Sequence, residues 1–392
     1  MRIVIAGAGI GGLVAALCLH KDGHEVVICE QSAQLSEIGA GIQLGANALQ
    51  VLDYLGLLPQ LAELAVAPKS VLFRDFSSGK ILHRLDLGDN YQSEYGKPYW
   101  HVLRRDVQQV LLEAIKNTTI DIRYDSQVIE YNDNKESIEV VLSKKSNLNA
   151  DLLIGADGIR SKVRLHLTSK DNTRFTRNAA WRALVPIDRL PDNWMDLVAC
   201  NFVGPGKHAV VYYVGGGSLV NFVGVVENRG WRESSWVSKG DWHELKNDFA
   251  GWHPKVSQII DAIPKDECYR WALYDLAPLK NWNGTRVTLL GDAAHATLPF
   301  MASGAALAIE DGRILQRALA QAHSLQSALQ LYQSHRLPRT SQIQRSSAQL
   351  GKFYHVKNTM LRQAAFAGIR VLGTKRARLL PSYNANSVDL GT

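Results

Sequence analysis

Residues 2–30 read RIVIAGAGIGGLVAALCLHKDGHEVVICE, and the fold is decided there. Arg2–Ala6 is a short β-branched run without polar alternation, the pattern of a strand buried on both faces of a parallel sheet. Leu13–His20 has the apolar spacing of a helix, Gly23 supplies its stop, and Glu25–Glu30 is a second strand. Gly7, Gly9 and Gly12 form GxGxxG between the first strand and the helix. The first glycine permits the tight turn, the second lets backbone approach a pyrophosphate, and the third lets helix and strand pack closely. The helix N-terminus offers unpaired N–H groups and the positive end of a dipole to phosphates. Glu30 closes the second strand, where a carboxylate accepts hydrogen bonds from a ribose. Together these make one right-handed βαβ unit that binds a dinucleotide.

The 392 residues leave room for two to three domains, and 46% hydrophobic with 21% charged residues is the balance of a soluble globular protein. The net charge of +7 comes without a basic run of five or more residues or a nucleic-acid motif, so anionic small ligands account for it better than nucleic acid. Cys18, Cys29, Cys200 and Cys268 have neither metal-ligand spacing nor the look of a disulfide framework. No metal is expected, and a reducing cytoplasm is. Ile3–Leu19 is uncharged like a signal peptide, but its glycines and the lack of a cleavage region favour strand, turn and helix. No other segment is long enough to span a membrane. These features point to a cytoplasmic protein without nucleic-acid partner or stable membrane insertion; monomer and homodimer both stay open.

Further along, Gly39–Gly45 reads as a glycine-rich mobile loop, Asn47–Leu55 as a helix, and Val71–Arg84 as a hairpin turning at Ser77–Gly79. Val107–Ile115 reads as a helix; Ile138–Leu142 and Asp151–Gly155 read as strands. From 176 to 275 strands dominate, at Ala179–Val185, Ala209–Val214 and Leu219–Val226. Tryptophan is frequent there: Trp181, Trp194, Trp231, Trp236, Trp242, Trp252 and Trp271. A sheet-rich insertion is expected. Arg286–Gly291 returns to buried-strand texture, Ala305–Ala320 is a long helix, 321–372 is helical in pattern, and the last dozen residues are irregular.

Two more motifs carry chemistry. Asp157-Gly158 follows a buried strand, with Ser161 and Arg164 just beyond; alone it is as readily a turn. Gly291-Asp292-Ala-Ala-His295 also follows a strand, and Pro299 to Gly304 leads into the long helix, whose N-terminus can face an anionic ring. Taken in this order along the whole chain, the three motifs resemble the group A flavoprotein monooxygenases. Ile38–Gly45, Trp181-Arg182-Ala-Leu-Val-Pro186 and Gly204-Pro-Gly-Lys-His208 resemble most the salicylate and 3-hydroxybenzoate hydroxylase branch.

The resemblance implies an α/β fold: a Rossmann-like FAD-binding domain of GR2 type with an inserted β-sheet-rich substrate domain and a helical C-terminal region. The FAD-binding domain would comprise 1–70, 98–175 and 276–345, the substrate domain 71–97 and 176–275, and the C-terminal helical region 346–392. Gly7, Gly9, Gly12 and Glu30 would hold the ADP part of FAD, with Val128 near the adenine and Arg104 in contact with the cofactor. Asp157 and Gly158 would serve FAD and the nicotinamide nucleotide, which would bind transiently near Asp157 and Arg164. Asp292 would bind the ribityl chain; Gly41, in the Gly39–Gly45 loop, and Pro299, Gly304 and Ala305 would lie by the flavin ring. His208 and Tyr212 match a His and a Tyr that flank the substrate in the branch; residues four apart on a strand share a face. The implied enzyme is an NAD(P)H-dependent flavoprotein monooxygenase of aromatic compound catabolism. It would use NADH or NADPH and O2 to hydroxylate a small aromatic substrate, hydroxybenzoate- or hydroxypyridine-like, through a flavin C4a-hydroperoxide. Ser303 and Phe300 depart from the branch, which has Gln before the last glycine in one arm and His after the proline in the other. An alternative is a flavin oxygenase of a quinone or isoprenoid substrate at a membrane surface, with Arg370–Arg378 as its contact. His295 reads as structural.

Overall fold

The computed structural model describes residues 1–34, 40–144, 146–227, 237–372 and 378–391. The first third runs β1 (Arg2–Ala6), α1 (Ile10–Lys21), β2 (Glu25–Cys29), β3 (Gly41–Leu44), α2 (Ala46–Tyr54), α3 (Leu58–Leu64), β4 (Ser70–Asp75), β5 (Ile81–Asp86), α4 (Asp89–Tyr95), β6 (Trp100–Leu103) and α5 (Arg104–Lys116). Then come β7 (Asp121–Arg123), β8 (Val128–Asp133), β9 (Ile138–Leu142), β10 (Leu148–Ala150), β11 (Leu152–Gly155), α6 (Lys162–Thr168), β12 (Thr173–Pro186), β13 (Ala199–Gly204), β14 (Lys207–Val214) and β15 (Leu219–Glu227). The rest is β16 (Val237–Lys239), α7 (Trp242–Asp248), α8 (Pro254–Ala262), β17 (Tyr269–Leu276), β18 (Val287–Leu289), α9 (Asp292–His295), α10 (Gly304–Gln321), α11 (Leu325–Tyr354) and α12 (Thr359–Leu372).

The expected βαβ unit nucleates a five-stranded parallel sheet of order β18-β11-β1-β2-β7. Apart from the edge strand β7, its strands are short, apolar and buried, with α1 and the three-stranded antiparallel sheet β10-β9-β8 packed into the same core. Helix α1 is buried nearly all round, between the sheet and α10. Gly312 of α10 allows this approach, since a Cβ there would stand 2.9 Å from the Ala15 nitrogen.

The second large element is an eight-stranded sheet of order β16-β17-β12-β15-β14-β13-β4-β5. It joins residues 70–86 to 173–276, so the inserted sheet draws on two separate stretches of chain. One face carries Trp181, Phe202, Val211 and Phe222 and is closed by α7 and α8 through Phe249, Val256 and Ile259. The other face carries Phe73, Val203, Tyr212 and Val225 and meets Leu298, Phe300, Tyr354 and Phe366 from the C-terminal half. No helix among the described residues is long and apolar enough to cross a membrane.

Several expectations change. Of the Gly39–Gly45 loop, Gly41–Leu44 is strand β3, paired antiparallel with Trp100–Leu103; residues 35–39 lie outside the described residues. A strand this short is specified by its distant partner, which a local reading does not see. The insertion is not only sheet: α7 and α8 are helices, started by Asp241 and His253, whose side chains accept from the N–H groups of His243 and Lys255. Trp231, Trp236 and much of Arg370–Arg378 lie outside the described residues. The expected start of a C-terminal region at 346 falls inside the single helix α11, and the 175/176 border falls inside β12.

Candidate active site

The three motifs come together through the parallel sheet. Leu289, Gly155, Ala6, Cys29 and Arg123 lie side by side at the carboxyl ends of the five strands. The next residues therefore share one edge: Gly7 after β1, Glu30 after β2, Asp157 after β11, and Gly291-Asp292 after β18. This crevice beyond the carboxyl ends is where open α/β sheets bind ligands.

Glycine is required at two positions of the first motif, Gly7 and Gly12. Gly7 has φ +102°, and a Cβ on it would stand 2.5 Å from the Ala156 oxygen; a Cβ on Gly12 would meet the Gly7 oxygen at 2.1 Å. At Gly9 the space is open instead, with Arg104 Nη2 at 4.0 Å the nearest atom to an added Cβ. Gly9 caps α1 without any side-chain hydrogen bond, so the first N–H groups of the helix point into that space unclaimed. Glu30 is buried, and its carboxylate accepts from the Ala8 N–H (2.8 Å) and the Ser32 N–H (2.9 Å). A carboxylate accepts more than two hydrogen bonds, so the clamped group keeps capacity for a ribose.

Asp157 does two things. Its Oδ2 accepts from the Lys162 and Val163 N–H groups and so starts α6, while Oδ1 is buried with no partner among the described residues. Burial pushes its carboxyl above the usual range despite those N–H donors. Gly158 follows with φ +75° and open space around it. Asp292 is exposed at the start of α9, and the Gly304 Cβ position lies 3.8 Å from its Oδ1. Pro299 opens a short 3₁₀ turn, Ala302 takes the left-handed conformation at φ +48°, and α10 then starts at Gly304-Ala305 without a side-chain cap. Ala302 is thus held in a conformation costly to residues other than glycine. Val128 is buried in the core, but Ser126, two residues before it, donates its N–H to the Glu30 carbonyl at 2.8 Å.

Arg164 links two of the motifs. Its buried guanidinium donates to the carbonyls of Ala293 (3.1 Å) and Ile159 (2.6 Å), tying the second motif to the third. It therefore braces the site from within. His295 is structural as expected: its Nε2 lies 2.6 Å from Asp311 Oδ2, inside a buried network of Glu310, Asp311, Arg336 and Arg339.

Facing this crevice is the inner side of the eight-stranded sheet. Strand register puts its side chains in cross-strand rows: Leu184, Asn221, Tyr212 and Ala199; then Arg182, Val223, Val210 and Asn201; then Ala180, Val225, His208 and Val203. His208 and Tyr212 thus share one face, two rows apart. Strand β3 crosses above the first row. The Gly41 N–H donates to Asn221 Oδ1 at 2.8 Å, and a Cβ on Gly41 would stand 2.9 Å from the Tyr212 hydroxyl. His101 of β6 lies against Tyr212, ring centroids 4.5 Å apart. Burial lowers His101 to about 3 and raises the Tyr212 phenol, against which Arg182 pulls down. The Nε of Arg182 is buried without a hydrogen-bond partner, its guanidinium lies 4.4 Å from the Trp271 ring centroid, and no carboxylate pairs with it among the described residues.

His208 is buried, with Nδ1 2.9 Å from Nε2 of His355, and Phe300 edge-on at 5.3 Å between ring centroids. Burial, with His355 beside it, holds His208 well below its ordinary range. Phe300 fits because Gly351 of α11 lacks a side chain: a Cβ there would come within 2.3 Å of its ring. Ser303 is buried, and its Oγ has no partner among the described residues. Sequence reasoning missed His101, Asn221 and His355. Only strand register and the end of a remote helix bring them here, and none stands in a motif.

Comparison with known proteins agrees with this geometry. The sequence profile of the FAD binding domain matches residues 1–347. The chain is 34% identical over 358 residues to a 3-hydroxybenzoate 6-hydroxylase of Klebsiella oxytoca, covering 91% of this chain and 89% of that one. It is 33% identical over 351 residues to a 6-hydroxynicotinate 3-monooxygenase of Pseudomonas fluorescens, covering 88% and 90%. Its fold matches Klebsiella pneumoniae HpxO complexed with FAD and uric acid, with a TM-score of 0.87 at 24% identity over 97% of both chains. The open cradle at Gly9, the clamped Glu30 and the orphaned Asp157 Oδ1 fit FAD, and the chain belongs to the group A FAD-dependent monooxygenases, the flavoproteins that hydroxylate aromatic rings.

Proposed function

We propose that this enzyme hydroxylates a small phenolic or hydroxypyridine ring that carries an anionic substituent, such as a hydroxybenzoate, with NAD(P)H and O2. Bound FAD supplies the redox chemistry, taking hydride from the nicotinamide and activating oxygen. Gly7, Gly9, Gly12 and the N-terminus of α1 hold its pyrophosphate, and Glu30 its ribose, with Val128 near the adenine. Arg104, Asp157, Gly158 and Asp292 serve the remainder of the cofactor. Gly41 and the turn from Pro299 to Ala305 border the ring. The division of the chain is proposed as 1–70, 98–175 and 276–345 for FAD and 71–97 with 176–275 for substrate; the eight-stranded sheet, which unites residues 70–86 with 173–276, supports it.

The observation that carries the substrate reading is the grouping of His208, Tyr212 and Arg182 on the inner face of that sheet. His208 uses Nδ1 for His355, which leaves Nε2 to take the proton of a ring hydroxyl. Burial keeps this histidine neutral, so that nitrogen carries a free lone pair when the substrate arrives. Tyr212 donates its hydroxyl to the developing phenolate. Arg182, a cation with no acidic partner among the described residues, receives the anionic substituent. Phe300 and the aromatic wall keep water from the reacting ring. The test is a panel of hydroxybenzoates and hydroxypyridines scored by ligand-stimulated NADH and NADPH oxidation, with analysis of products. If no member stimulates oxidation and yields a hydroxylated product, the reading is wrong.

A further inference from the structure

His355 is the residue after α11, 147 positions from His208 in sequence, yet their ring nitrogens lie 2.9 Å apart. Its carbonyl accepts the Gly206 N–H at 3.2 Å, which anchors the end of α11 to the turn between β13 and β14. Its other nitrogen, Nδ1, lies 3.7 Å from Glu227 Oε1. Glu227 ends β15, and 37% of its side chain is exposed, whereas His208 is 2% exposed. A line of titratable groups thus runs from the inner face of the sheet to the protein surface.

We propose that His355 and Glu227 carry to solvent the proton that His208 takes from the substrate hydroxyl. The assignment rests on the proposed role of His208. At rest, His208 holds its proton on Nδ1 and donates it to Nε2 of His355, which holds its own on Nδ1 towards Glu227. When the substrate O–H bond breaks, its proton forms a bond to Nε2 of His208. The Nδ1 proton of His208 passes to Nε2 of His355, and the Nδ1 proton of His355 passes to the Glu227 carboxylate and then to water. One proton enters and one leaves, both rings end neutral in the opposite tautomer, and the substrate stays as phenolate.

The surroundings favour transfer over storage of charge. Burial lowers both rings, His355 to about 4, so neither keeps an extra proton near neutral pH. Among the described residues, the remaining polar and charged groups about the pair are few. Tyr354 packs on His208 from α11. Arg362 of α12 is paired with Asp75 of β4 at 2.9 Å. Lys207, next in sequence, is turned to the opposite face, bound to Asp248. Phe300 and Val225 are apolar neighbours. Glu227 is thus the group placed to receive the proton.

The test uses the FAD-loaded enzyme and 3-hydroxy-4-nitrobenzoate, whose phenolate is coloured, mixed rapidly in weak buffer with a pH indicator. Wild type is expected to form bound phenolate and release one proton together. His355→Ala is expected to slow both at least tenfold, and added imidazole, filling the vacated space, to restore them; a merely structural tie gives no such rescue. Glu227→Gln, at the surface, is expected to slow release about threefold and to flatten its pH dependence, and it decides the matter should His355→Ala fail to fold. Wild type forming phenolate while the variants match it, or no rescue by imidazole, overturns the relay alone. Wild type that binds the probe and forms no phenolate overturns the role of His208 and the relay with it.

Discussion

The backbone N–H of Gly41 donates to Asn221 Oδ1 across 2.8 Å, joining residues 180 positions apart. This contact docks strand β3 onto the inner face of the eight-stranded sheet beside Tyr212. A methyl at 41 would lie 2.8 Å from Asn221 Cγ and 2.9 Å from the Tyr212 hydroxyl, closer than side chains tolerate. Gly41→Ala should therefore lift β3 from the sheet at a cost of about 1–3 kcal/mol. Turnover of an active phenol should fall far more than thermal stability. A variant with wild-type turnover would show that the docking does not shape the site.

The glycines of the first motif should separate into two classes. At Gly12 an added methyl meets the Gly7 carbonyl at 2.1 Å, a backbone atom that cannot move aside. Gly12→Ala should yield protein that is unstable and colourless after purification. At Gly9 the methyl enters open space, so Gly9→Ala should keep the melting temperature of the apoprotein. It should nevertheless bind FAD about tenfold or more weakly, because the methyl holds the phosphate off N–H groups worth about 1.5–3 kcal/mol each to a charged partner. Flavin titration by fluorescence quenching, beside thermal melts, reads both effects.

Replacing Arg182 should change selectivity rather than chemistry. In Arg182→Met the Trp271 ring keeps an apolar neighbour while the charge is lost. The KM for 3-hydroxybenzoate should rise about 10- to 100-fold, matching one charged hydrogen-bonded contact of about 1.5–3 kcal/mol. The KM of an uncharged phenol such as resorcinol should hardly move. Equal rises for both would assign Arg182 to the cofactor or to packing.

The buried network beneath α10 should govern acid stability. Burial alone would raise the Asp311 carboxyl, but His295 and Arg336 hold it at about 2. A carboxyl lowered in the folded state stabilises the protein above the unfolded pKa of about 3.9. That contribution is lost as pH falls through the folded value, so urea midpoints should drop between about pH 4 and pH 2. Asp75, also lowered to about 2, where burial is outweighed by hydrogen bonds from Ser78 and Arg362, titrates in the same window. Asp311→Asn should flatten only part of the slope. Arg336→Ala, which leaves Glu310 and Asp311 buried without that partner, should cost about 3–5 kcal/mol at neutral pH.

Much of the cofactor half was legible in the sequence. A GxGxxG between β-branched strand and apolar helix is a local pattern whose physics is local: positive φ at Gly7, no room for Cβ at Gly12, free N–H groups at the start of α1. Asp157 and Asp292 were legible for a related reason, since each directly follows a short buried strand, and parallel strands deliver their carboxyl ends to one edge. The long helices were equally plain from their periodicity. Helices α7 and α8 were missed because the strand-like runs around them dominated the texture. Strand β3 was missed because nothing within Gly41–Leu44 shows that Trp100–Leu103 will pair with it.

By itself, then, the sequence determined a dinucleotide-binding βαβ unit, which depends on local backbone conformation; His208 and Tyr212 were singled out by resemblance to a family, and the two-residue repeat of a strand says only that they share a face. Only the tertiary structure decided what surrounds those positions. Cross-strand register set Arg182 and Asn221 on the same face, and α11 returned from the far end of the chain to place His355 on His208. It also tied Arg164 to the third motif by burying its guanidinium among backbone carbonyls. Such contacts follow from which surfaces are buried against each other, and residues over a hundred positions apart leave no periodic trace of that in the chain.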